Sequence, residues 1–172
     1  MPPPILQHAW VVPSLEAAIH HWHATYGLGP FLVNRNIVLT RPRHRGAPGQ
    51  PRFSTALAQH GGIQIELIEQ HDEAPSVYRD TVPAGATAFH HLGLIAPDYD
   101  AELARYQAQG HAVAADGCFG KMRFAYIDTT AALGHMTEIL EDTRAIRGYF
   151  AMVSQAAAQW DGDPATLIRE LG

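Results

Sequence analysis

Cysteine is nearly absent: Cys118 is the one such residue in 172, so no disulfide can form within the chain, and a reducing compartment is the expectation. Positive charge is also scarce. Twelve Lys and Arg stand against 17 Asp and Glu, for a formal net charge of −5. That excludes the basic field by which proteins hold nucleic acids. No apolar run approaches the roughly 20 residues that cross a bilayer as a helix, so no membrane role is expected. The opening Met1-Pro2-Pro3-Pro4 lacks the basic and apolar stretches of a secretory signal, and a cytoplasmic location is expected. With 47% hydrophobic residues, the length suffices for one domain over residues 1–172. Histidine, by contrast, is plentiful at 11. Scattered histidines carry no message, whereas histidines at repeated strand positions do.

The chain repeats itself. Leu6-Gln7-His8-Ala9-Trp10-Val11-Val12-Pro13-Ser14 leads into a helical stretch ending at Gly27, and Phe89-His90-His91-Leu92-Gly93-Leu94-Ile95-Ala96-Pro97-Asp98 leads into one ending at Gly110. Both read as strand, Pro, N-cap, helix, Gly stop. Ser14 and Asp98 offer side-chain oxygens to the free N–H groups of a first turn. Leu15, Ala18, Ile19, Trp22 and Tyr26 recur at helical spacing, and Gly27 suits a left-handed position after the helix. Each copy closes on Glu-apolar-apolar-Glu: Glu66-Leu67-Ile68-Glu69, then Glu138-Ile139-Leu140-Glu141. Further strand candidates at 31–39, 52–58, 112–115 and 123–128 complete two βαβββ modules, about 5–70 and 88–142. Residues 40–52, rich in Pro, Gly and Arg, read as a loop. Residues 74–80 read as a short helix inside a linker, 71–87. Thr143 can cap a helix carrying Ile146, Phe150 and Val153, within a C-terminal helical extension, 143–172. Its apolar face is too long to stay bare and covers the core or a partner.

Side chains alternate across a strand. His8 then shares a face with Leu6, Trp10 and Val12; Glu66 with Gln64 and Ile68; His91 with Gly93 and Ile95; Glu138 with Met136 and Leu140. A carboxylate placed mid-strand among apolar residues costs several kcal/mol to desolvate unless it is paired or bound to a metal. A single histidine at a strand start is more often a hydrogen-bonded structural residue. Two modules, each with a His on its first strand and a Glu on its last, suggest a shared partner. One divalent cation held by His8, Glu66, His91 and Glu138 meets that need. This N and O donor set suits Zn, Co, Ni, Mn or Fe(II) without choosing among them.

The two βαβββ modules and the stretches Gln7-His8-Ala9-Trp10-Val11-Val12-Pro13, Gln64-Ile65-Glu66-Leu67-Ile68, His90-His91-Leu92-Gly93-Leu94 and Gly134-His135-Met136-Thr137-Glu138-Ile139 resemble the vicinal oxygen chelate superfamily. Its members include glyoxalase I, methylmalonyl-CoA epimerase, extradiol dioxygenases and bleomycin-resistance proteins. The likeness covers roughly residues 5–142. It implies an α+β fold in which the modules form a curved, half-barrel mixed sheet, with a metal site in the concavity and a C-terminal helix added, often as a homodimer. The glyoxalase and epimerase branch places one metal ligand on the first and last strand of each module, which carries over to His8, Glu66, His91 and Glu138. Epimerases tend to have Gln where Glu66 stands, and glyoxalase I more often has Glu.

The same resemblance implies a metal-dependent epimerase, isomerase or lyase acting through an enolate of a small carbonyl or acyl thioester substrate. Glu138 is the first choice for the proton-taking base, with Glu66 as its counterpart. Two alternatives are an extradiol-type ring-cleaving dioxygenase and a small-molecule binding or resistance protein. Arg41-Pro42-Arg43-His44-Arg45 is a basic stretch that a solvated loop or an anion-binding lid would explain. Tyr126 reads as a core or rim aromatic, His135 as structural and Lys121 as solvated.

Overall fold

The computed structural model describes residues 2–171 and joins both copies of the repeat in one mixed sheet of eleven strands. Copy one supplies β1 (Ile5–Val11), α1 (Leu15–Tyr26), β2 (Phe31–Asn34), β3 (Thr40–His44), β4 (Ala47–Pro48), β5 (Phe53–His60) and β6 (Ile63–Gln70). Copy two supplies β7 (Ala88–Ala96), α2 (Tyr99–Ala108), β8 (Val113–Phe119), β9 (Met122–Ile127), α3 (Thr130–Leu133) and β10 (Met136–Glu141). The tail adds α4 (Arg144–Ala158) and β11 (Ile168–Leu171). Across the sheet the order is β11-β2-β5-β6-β1-β7-β10-β9-β8-β3-β4.

The first strand of each module lies at the centre. β1 runs antiparallel to β7, β6 parallel to β1 and β10 parallel to β7. The two modules are thus related by an approximate twofold axis between β1 and β7. Local sequence explains the helices that follow. The Ser14 side chain accepts the Ala17 N–H and Gly27 adopts φ 67, while Asp98 accepts the Ala101 N–H. One face of the sheet packs Ile65 and Leu67 against Leu15 and Ile19 of α1. Ala9, Val11 and Ile68 belong to the cluster on the other face, with Tyr78 and Tyr126.

Four segments depart from the pattern-based expectation. The strand expected over 31–39 stops at Asn34, and Asn36 takes a left-handed φ of 49, which turns the chain out of the sheet. Residues 40–52 form a hairpin, β3 and β4, that extends the far edge at β8. Ion pairs hold it there: Arg43 to Asp116, and Arg45 to Asp80 and Asp128. Periodicity cannot foresee this, because the partners lie in the linker and the other module. Residues 74–80 make turns rather than a helix, since Pro75 lacks an N–H and the Gln70 amide takes the Ala74 carbonyl and the Ser76 hydroxyl. The tail is α-helical to Ala158, makes a 3-10 turn at Pro164–Thr166, and then β11 pairs parallel with β2.

α4 has its apolar face inward, as its pattern predicts. Ile146 and Phe150 join the cluster that contains Tyr78 and Tyr126, and Val153 packs on Leu32 and Leu57. The Asn34 amide donates to the Tyr149 hydroxyl and ties the helix to β2. α4 and residues 37–39 thus lie over a cavity of about 570 Å³ on the inner face of the sheet. Among the described residues, no helix is long and apolar enough to cross a membrane.

Candidate metal centre

The register of four central strands builds the site. Ala9 pairs with His91, and Gln7 with Gly93. Glu66 pairs with Ala9, and Glu138 with Gly93. Paired residues point to the same face, so Gln7, Glu66, His91 and Glu138 converge on one side. The twofold relation exchanges Gln7 with His91 and Glu66 with Glu138. The structure brings three of the four expected ligands together. Glu66, His91 and Glu138 each place a ligand atom within 4.8 Å of the others. His91 Nε2 lies 3.5 Å from Glu66 Oε2 and 3.4 Å from Glu138 Oε2.

His8 is not with them. It pairs with Ile65, whose side chain packs on the α1 side of the sheet. Its ring meets Trp10 and Phe89 edge-on, at centroid distances of 6.4 and 6.2 Å. The residue that occupies the matching position on the inner face is Gln7. Its Oε1 is buried with no hydrogen-bond partner among the described residues, while its Nε2 donates to Gln64 Oε1 at 3.4 Å. A Cβ at Gly93 would stand 2.8 Å from that Oε1, so the side chain lies directly over the glycine. Counting from the proline before each helix would have found it: Gln7 is six residues before Pro13, as His91 is six before Pro97.

The electrostatics fit a cation. Burial pushes the Glu66 carboxyl well above the usual range, and the charge of Glu138 pushes it further. Two facing carboxylates, a bare imidazole nitrogen and a bare amide oxygen are together an expensive arrangement in a protein interior unless a positive ion joins them. Zn, Co, Ni, Mn and Fe(II) all accept such N and O donors.

The imidazole is oriented by its neighbour, whose part sequence reasoning missed. His90 Nε2 donates to the Val77 carbonyl at 3.0 Å, since a carbonyl only accepts. Burial, with His91 adding to it, lowers the His90 pKa to about 3, so the ring is neutral and its Nδ1 is an acceptor. His91 Nδ1–H therefore donates to it at 2.9 Å. That leaves the lone pair of His91 Nε2 facing the two carboxylates, with no partner among the described residues. Ligating histidines are commonly held through the other ring nitrogen in this way.

Tyr126 pairs with Glu138 across β9 and β10 and lines the cavity with Tyr78. Their rings meet edge-on at a centroid distance of 6.1 Å, and burial above all raises both phenols well above the ordinary tyrosine value. They are neutral donors at the wall of the site. His135 Nδ1 contacts the Met136 carbonyl instead, consistent with a structural role. Within the basic stretch 41–45, Arg43 pairs with Asp116, Arg45 pairs with Asp80 and Asp128, and His44 contacts Asp80, while Arg41 is exposed. Lys121 is exposed, at the cavity wall.

Residues 6–126 match the model of the glyoxalase/bleomycin resistance protein/dioxygenase superfamily. No curated protein matches the chain in sequence. Among solved structures, a hypothetical protein from Bacillus halodurans is similar with a TM-score of 0.63 at 12% identity, over 84% of this chain and 97% of that one. Methylmalonyl-CoA epimerase from Mycobacterium tuberculosis gives 0.52 at 18% identity, over 84% and 91%. A Streptomyces coelicolor methylmalonyl-CoA epimerase in complex with 2-nitronate-propionyl-CoA gives 0.56 at 17% identity, over 83% and 96%. At these identities the likeness is one of fold.

Proposed function

Since the chain belongs to the glyoxalase/bleomycin resistance protein/dioxygenase superfamily, we propose that it is a divalent-metal-dependent enzyme that moves a proton at a carbon beside a carbonyl, as an epimerase, isomerase or lyase. The observation that carries this reading is the buried set of Glu66, His91 and Glu138. Gln7, rather than His8, is the fourth ligand in the proposal, because its partnerless carbonyl oxygen stands where the twofold relation requires a donor.

A divalent ion held there supplies Lewis acidity, which lowers the cost of negative charge on a substrate oxygen. The chain's own residues do the rest. Glu138 takes the proton as the C–H bond breaks and its electron pair moves into the enolate. Glu66 lies across from it and returns a proton to the same or the opposite face. Return to the opposite face gives epimerisation, and return to a neighbouring atom gives isomerisation. Tyr126 and Tyr78, both protonated, can donate to a substrate oxygen. The apolar cavity excludes water that would quench the carbanion.

Ring cleavage by the extradiol route uses two imidazoles and one carboxylate, whereas this cluster has one imidazole and two carboxylates. A metal-free binding role would leave the acid pair uncompensated. The test is metal analysis of protein purified without chelator, followed by solvent deuterium exchange into 2-substituted acyl thioesters and hemithioacetals. Glu138→Gln should reduce exchange by about 10²–10⁴-fold. Absence of bound metal, or full exchange in that variant, would sink the proposal.

A further inference from the structure

We propose that the substrate is an uncharged, largely apolar molecule: a carbonyl head flanked by aryl or alkyl groups, and not a thioester of a phosphate-bearing carrier. The inference rests on the metal-dependent reading of the same site and adds the substrate class to it.

The cavity carries the argument. Its volume of about 570 Å³ falls in the range that encloses drug-sized ligands. Polar groups gather at the Glu66 and Glu138 end, and much of the remaining wall is apolar, including Phe53, Leu57, Phe124, Leu140, Ile146 and Phe150. Such a wall rewards each apolar group that leaves water and offers nothing to a charge.

Charge points the same way. A carrier with several phosphates needs several cations, commonly arginines in forked pairs. Lys121 is the one cation lining the cavity among the described residues. The nearby basic stretch 41–45 has Arg43 and Arg45 committed to aspartates of this chain, and the exposed Arg41 there and Arg144, between the lining residues Thr143 and Ala145, are single cations rather than a cluster. The lip is apolar instead. Phe119 lines the cavity and is 48% exposed, and Val38, between the lining residues Ile37 and Leu39, is 79% exposed. The roof is intramolecular as well: α4 crosses the cavity with Ile146, Tyr149 and Phe150, and Asn34 secures it. A long carrier has no lane built for it.

The experiment uses the full chain loaded with Co(II), whose visible absorption reports a ligand on the metal. Three probes share the chemistry of the head or replace it: benzoin, with two phenyl groups; acetoin, the same hydroxy-ketone with two methyls; and methylmalonyl-CoA. Benzoin is expected to bind about tenfold or more tightly than acetoin, because it buries the extra rings. It should also bind more tightly than methylmalonyl-CoA. Phe150→Asp, on the roof, should weaken benzoin by about tenfold more than acetoin, with Co(II) still taken up. Benzoin no tighter than acetoin, no benzoin binding at saturation, or tighter binding of the thioester overturns the substrate class while leaving the metal reading intact. Benzoin binding that leaves the Co(II) absorption unchanged also overturns the substrate class, and failure to take up Co(II) overturns the metal reading itself.

Discussion

Exchanging the roles of two adjacent residues, Gln7 and His8, provides the sharpest test of the site. Gln7→Leu removes a buried amide whose oxygen has no partner and whose nitrogen makes one 3.4 Å hydrogen bond. Losing that bond leaves the buried Gln64 Oε1 unpaired, at about 1–3 kcal/mol, and removing a desolvated, unpaired carbonyl returns about as much. The metal-free variant should therefore be about as stable as the parent. Its metal affinity should fall by about 100-fold, the upper end of what altering a supporting residue costs, since a ligand itself is lost. At a metal concentration about 1,000 times the parent Kd, metal stabilises the parent by about 4.1 kcal/mol; the variant, at about ten times its own Kd, gains about 1.4 kcal/mol. His8→Ala reverses the pattern. It removes two edge-on aromatic contacts, each worth about 0.5–1.5 kcal/mol, and should lower Tm by roughly 2–12 °C with metal affinity unchanged. Thermal melts with and without metal, and chelator competition for affinity, read both effects. If His8→Ala loses the metal and Gln7→Leu keeps it, the register argument is wrong.

Gly93→Ala should weaken metal binding by about tenfold or more, because its Cβ would stand 2.8 Å from Gln7 Oε1 and push that side chain aside; competition titration measures it. His90→Phe removes the acceptor that holds His91 Nδ1–H, so metal affinity should drop about 10–100-fold, whereas a His90→Asn side chain able to accept should recover part of it. The Glu66 carboxyl is raised in the folded state above its unfolded value, so the metal-free fold binds more protons than the unfolded chain. Its stability is then greatest below the usual carboxylate range and declines as pH rises toward the elevated pKa. Glu66→Gln should flatten that decline in chemical denaturation series run across pH. Metal must displace the same proton, so parent affinity should rise over the same pH window, and a pH-independent affinity would contradict this.

Two kinds of information were legible in the chain before folding. The repeat, the helix caps at Ser14 and Asp98, and the alternation on the central strands specify two βαβββ modules, because each depends on residues within a few positions of one another. The same locality marked Glu66, His91 and Glu138 as out of place among apolar neighbours. Matching His8 to His91 by residue type misled by one position, and in a strand one position is the opposite face. The proline spacing aligns Gln7 with His91, but only the β1 and β7 pairing shows that both take the same face.

What lies far apart in sequence needed the tertiary structure. The hairpin at 40–48 reads as a loop until β8 and three aspartates of the linker and the second module are beside it. The turns at 74–80 follow from the Gln70 side chain, and β11 needs the free edge of β2. α4 announced an apolar face but not its target, which is the cavity. By itself the sequence determined two matched modules with buried carboxylates that call for a partner, since desolvation is a property of residue type and strand position. Only the folded chain decided that Gln7 and not His8 shares a face with Glu66, His91 and Glu138 and that α4 lies over that face, because face and enclosure are relations between strands, not properties of any one.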